Sequence, residues 1–185
     1  MPPRASILRG IARVALGKPD GLQQFPATVQ GFLISLVPLL AFPLAGTWLL
    51  LLNGEGLSAI TSLLGTVTVL LAAPVLSFEF ARLWHREPYW LRFATAFNWC
   101  QWLLPLLACA LLIVLAGLVH IGLSQHAATG ILLLVMGAYG LWLHWFLARH
   151  GLALSPLRAV VLVLGVNLGT ALLVLMPRLL VWQRP

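Results

Sequence analysis

Five apolar stretches, each long enough to cross a bilayer as a helix, leave this 185-residue chain little choice of fold. The hydrocarbon core of a membrane is ~30 Å thick and takes about twenty helical residues to cross. Stretches that meet this run near Gln30 to Leu52, Leu57 to Ala81, Phe93 to Ile121, Ala128 to Ala148 and Leu157 to Leu180. Lipid offers no partner to a backbone N–H or C=O, so each must satisfy its own groups as a helix. Alternating ten-residue strands, the other solution, are not seen in the sequence. Composition agrees: 61% of residues are hydrophobic and 8% charged, against roughly 45–50% and about 25% in a soluble domain. The expected fold is all-α, a polytopic transmembrane bundle of about five spans preceded by an amphipathic amino-terminal segment.

That segment, residues 1–28, is too rich in cations to be a secretory leader: Arg4, Arg9, Arg13 and Lys18 interrupt it before an apolar core develops. Ile7, Leu8, Ile11, Ala12, Val14, Ala15 and Leu16 recur at helical spacing, with Arg9 and Arg13 on the other side, which suits a short helix lying on the membrane surface. Pro19, Asp20 and Gly21 stop it, and Phe25-Pro26 leads to the first span. Residues 29–182 are then expected to form a single five-helix transmembrane domain.

The net charge of +7 does not point to nucleic acid, because the eleven Lys and Arg residues sit in short clusters between apolar runs. Their placement reads as topology. The four amino-terminal cations, then Arg82, Arg86 and Arg92, then Arg149 and Arg158, fall on one side; the opposite side has only Arg178 and Arg184 at the carboxyl end. By the positive-inside rule the amino terminus is expected in the cytoplasm of a bacterial inner membrane and the carboxyl terminus in the periplasm. An even number of spans would instead bring the tail inside. Trp48, Trp84, Trp90, Trp99, Trp142, Trp145 and Trp182 mostly lie near span ends, as an interfacial belt requires. Pro38, Pro43, Pro74, Pro105 and Pro177 are expected to bend their helices.

Ionisable and amide groups inside a span are costly, which makes them the candidate functional residues. Glu79 lies three residues before Arg82, where one helical turn can neutralise it as an interfacial ion pair. His144 sits about one turn inside the fourth span and could relay protons, bind a ligand, or simply hydrogen-bond to another helix. Asn98 near the inner end of the third span, and Asn167 with Thr170 near the middle of the fifth, can bond between helices or contact a substrate. Gly165 and Gly169 have the Gly-x-x-x-Gly spacing of a close helix contact. His120 and His144 lie at opposite ends of the spans, which argues against a haem held between them, and His85 and His150 have no metal-site spacing. Cys100 and Cys109 are about 13 Å apart along a helix and too far to pair. No phosphate loop, nucleophile elbow or paired acid is present, so no catalytic, cofactor or metal residues are assigned.

Gly17-Lys18-Pro19-Asp20-Gly21-Leu22, then Phe25 and Gly31-Phe32, and later Arg92-Phe93 through Phe97-Asn98-Trp99, resemble a bacterial branch of the Yip1-like membrane proteins. The resemblance implies a cytoplasmic amino terminus, five clustered spans and a short tail outside. The acidic Asp-Leu-Tyr-Gly-Pro signature of the eukaryotic family is absent, so its trafficking role does not carry over.

The sequence thus leads to a non-enzymatic scaffold or accessory subunit acting through helix contacts. Its partners would be the lipid bilayer and, on the lateral faces, other membrane proteins or a homo-oligomer. The alternative is a small transporter or channel-like protein with a cytoplasm-facing cavity built on Glu79, Asn98, His144 and Asn167. Convergence of those side chains in one cavity favours transport; single pairings between helices favour the scaffold.

Overall fold

The computed structural model describes residues 6–182, which form helices joined by short turns, with no strand among them. The short α1 (Ile7–Ala15) and a 3-10 helix (Pro19–Gln24) precede α2 (Val29–Leu52), α3 (Gly56–Leu83), α4 (Glu87–Cys100), α5 (Leu103–His120), α6 (Gln125–Gly151) and α7 (Pro156–Trp182). Five segments are long and apolar enough to cross a membrane: α2, α3, α4 with α5, α6, and α7. The protein is a multi-pass helical membrane protein.

Local chemistry sets the helix ends. Thr28 caps α2, its Oγ1 accepting from the N–H of Gly31 at 3.1 Å. Asn53-Gly54 closes α2, with Gly54 at φ 80°, a left-handed conformation open to glycine. Ser124 caps α6 by accepting from Ala127 N–H at 3.2 Å.

The third apolar stretch, expected as one continuous span from Phe93 to Ile121, is two helices. Pro105 has no N–H to give the carbonyl of Gln101, so the ladder breaks there. The backbone stays right-handed through Gln101 and Trp102, while Leu104 N–H reaches back to Gln101 O at 3.2 Å in a tighter, three-residue bond. Pro105 falls in the first turn of α5, where a missing donor is tolerated. Glu87–His120 has 34 residues, about 51 Å of helix at ~1.5 Å per residue, which exceeds a ~30 Å apolar layer. α4 and α5 together are therefore longer than that layer is thick.

α4 is the hub of the amino-terminal half of the bundle. It packs against α1, α2, α3 and α6 and buries Phe93, Ala94, Thr95, Ala96, Asn98 and Cys100. The small side chains on this run let four neighbours approach one short helix.

The amino-terminal segment forms the expected helix, but this helix docks onto the bundle rather than resting only on lipid. Val14 is fully buried and Phe25 nearly so, and both join one core with Phe93, Leu147 and Leu152. Gly10 and Gly21 permit the contact: a Cβ on Gly21 would lie 2.9 Å from the backbone oxygen of Gly10. Arg13 and Asp20 pair across the turn.

The tryptophans of this end are anchored. Trp90 Nε1–H donates to Ser77 Oγ at 3.2 Å, Trp145 Nε1–H to Pro156 O at 3.2 Å, and the Arg149 and Arg158 guanidinia lie over the Trp145 and Trp84 rings. The side chains of Arg178 and Trp182, and all of Arg184, lie outside the described residues.

Candidate functional site

α6 joins α4 and α7 through its second half, where Leu143, Phe146, Leu147 and Ala148 are buried; its first half buries only Ala128. α5 packs chiefly along α6, and its other faces are open, with Ile113 75% exposed. The α5–α6 pair and the α2–α3–α7 group are thus joined at the amino-terminal half of the bundle and part beyond His144.

At the base of that parting lies a cavity of about 630 Å³, within the ~300–1,000 Å³ of small-molecule sites. α7 forms its longest wall, from Leu162 to Leu175, faced by Val69, Leu70 and Ala73 of α3 and Leu39 of α2. Phe93 and Phe97 of α4 close the end nearer the amino terminus. Asn98, Gln101, His144, Asn167 and Thr170 interrupt this apolar lining, and among the described residues no Asp, Glu, Lys or Arg joins it.

Four of these five polar groups are held by hydrogen bonds. Asn98, 3% exposed, donates from Nδ2 to Ser35 Oγ of α2 at 2.9 Å. Ser35 gives its one proton to Phe32 O at 2.6 Å, so it can only accept from Asn98, which fixes the amide's orientation. Gln101, at the α4–α5 break, reaches His144 with its amide nitrogen 3.4 Å from Nε2, and the imidazole lies against the Phe97 ring, centroids 4.9 Å apart. Asn167 donates from Nδ2 to Val163 O, one turn back on α7, at 2.7 Å.

Of the residues singled out from the sequence, Asn98, His144 and Asn167 come together here, with Thr170. Glu79 and Arg82 do not. They form a 2.8 Å ion pair on the outside of α3, with side chains 50% and 65% exposed. Nor does the cavity face the amino-terminal end: the buried cluster around Phe25, Val14, Leu147 and Leu152 lies on that side, and the described lining runs away from it along α7 to Val174 and Leu175. Gln101 is the lining residue that sequence reading passed over; an amide inside an apolar run carries the same signal as Asn98.

Other candidates separate. His85 shares a surface recess with Glu79 and Arg82, whereas His150 lies tilted against the Phe146 ring and lines a different one. Cys100 is buried on α4 and Cys109 exposed on α5, both free. Gly165 and Gly169 serve the close contact of α7 with Phe80 and Leu76 of α3.

No protein-family profile, curated protein or solved structure matches the chain.

Proposed function

We propose that this protein binds a small amphiphilic solute inside the membrane, as a carrier or transporter of channel-like size. The observation that carries the reading is the meeting of Asn98, Gln101, His144, Asn167 and Thr170 on one otherwise apolar cavity. Amides within a span, such as Asn98 and Asn167, are costly against hydrocarbon, and a partly polar ligand offsets that cost. Apolar walls with a few convergent polar groups are the usual make-up of a ligand site. Parting helices around a fixed polar floor also give a solute a lateral way in.

The charge asymmetry supports a bacterial inner-membrane location with the amino terminus in the cytoplasm, because eight cations among the described residues, from Arg9 to Arg158, lie at the α1 end of the spans. The Yip1-like resemblance is compatible with this reading and contributes no site residue.

The scaffold reading has one observation in its favour: Gly65, Gly117, Gly130 and Gly137 have open space where a side chain would stand, so another helix could approach closely.

Native mass spectrometry of protein extracted gently from its own membrane separates the two. A retained small molecule in stoichiometric amount, lost in Asn98→Leu/Asn167→Leu, is the expected result. A bare chain bound only to another protein would overturn the proposal in favour of the scaffold.

A further inference from the structure

The hydrogen bonds around the cavity select among amphiphiles. Asn98 turns its NH₂ to Ser35, and Asn167 turns its NH₂ to the carbonyl of Val163. A planar amide that commits its nitrogen to one side offers its carbonyl oxygen on the other. Two lining amides therefore present acceptors.

Thr170 adds a third group. Threonines at 47, 61, 66, 68, 95 and 129 each donate to the carbonyl four residues back. Thr170, also within a helix, makes no such bond among the described residues. Its hydroxyl stands in the cavity lining, able both to donate and to accept. Among the described residues the lining offers no charged side chain to pair with an ammonium or a phosphate.

We infer that, given the ligand-binding role proposed above, the cavity takes an uncharged amphiphile carrying a hydroxyl. Its O–H donates to the carbonyl oxygen of Asn98 or Asn167, its oxygen accepts from Thr170, and its hydrocarbon part lies along Val166, Val174 and Leu175. Such a molecule arrives from the bilayer, where it is already dissolved, through the parting between α6 and α7. A methyl ether of the same length fills the same space and leaves the amide oxygens unpaired.

Photolabelling of the full chain in lipid nanodiscs tests this. The probes are hexadecanol with a mid-chain diazirine, its methyl ether, and the matching amine and carboxylate. The alcohol is expected to label α7 several-fold to about tenfold more than the ether, the range one net hydrogen bond supplies. Thr170→Val keeps the side-chain shape and Asn167→Leu alters a residue bonded only within its own helix; each should shrink that preference while the protein stays folded. Equal labelling by alcohol and ether, or stronger labelling by the amine or carboxylate, overturns the hydroxyl inference and leaves the binding role standing. If no probe labels the cavity, both fail.

Discussion

The amide nitrogen of Asn98 on α4 donates to Ser35 Oγ on α2 at 2.9 Å, across 63 positions of sequence, and both side chains are buried. This bond ties the hub helix to the first span at the edge of the cavity. Interhelical hydrogen bonds in membrane proteins are worth ~0.6 kcal/mol on average and up to about 1.7. Asn98→Leu and Ser35→Ala should each destabilise by about 1 kcal/mol and be non-additive together. A double-mutant cycle in reversible unfolding measures the coupling; strict additivity would show that the pair contributes nothing.

At Gly165 an added Cβ would lie 2.4 Å from Phe80 Cζ, and at Gly169, 2.7 Å from Leu76 Cδ1, whereas Gly130 has no neighbour within 4 Å. Gly165→Val should cost about 1–3 kcal/mol through overpacking of the α3–α7 contact. Gly130→Val should be close to neutral. Thermal unfolding in detergent ranks them, and equal losses would place the close contact elsewhere.

The Glu79–Arg82 pair is exposed on both sides, and exposed pairs contribute ~0–1 kcal/mol. Glu79→Gln should therefore leave both stability and ligand retention nearly unchanged. A large loss of bound ligand would return Glu79 to the site.

Phe25 is 2% exposed in the core beneath α1. Phe25→Ala should cost ~3–5 kcal/mol, enough to release the amino-terminal segment. Limited trypsin digestion should then cut at Arg9 and Arg13 faster than in the parent protein, while the spans stay intact. Unchanged cleavage would mean that the segment is held by other contacts.

How much of this was legible in the residues depends on what kind of information each feature needed. Gln30–Leu52 and Leu157–Leu180 fall within a few residues of α2 and α7, because hydropathy and turn residues act locally. The α4–α5 break escaped the hydropathy pattern since the run from Phe93 to Ile121 carries no Asp, Glu, Lys or Arg on either side of Gln101. Pro105 was marked as a bend, but whether it ends a ladder depends on where the next helix starts. The depth of Asn98, His144 and Asn167 could be read from their distance to span ends. Their shared cavity could not, because the rotation of each helix is set by packing, such as that of Gly165 on Phe80. Glu79 looked like its equal in sequence and is separated from the cavity by facing outward on α3.

Cysteine accessibility tests the central claim, that the α7 face holding Asn167 and Thr170 borders an open cavity bearing polar groups rather than hydrocarbon or packed side chains. With Cys100 and Cys109 replaced, single cysteines at Thr170 and at Leu172, which is 65% exposed on the bundle exterior, are treated in vesicles with a small methanethiosulfonate. The thiolate is the reacting species and forms in a polar setting, so the account predicts modification at 170 several-fold faster than at 172, slowed by the hydroxyl amphiphile. Equal rates at the two positions, or a faster rate at 172, would contradict it.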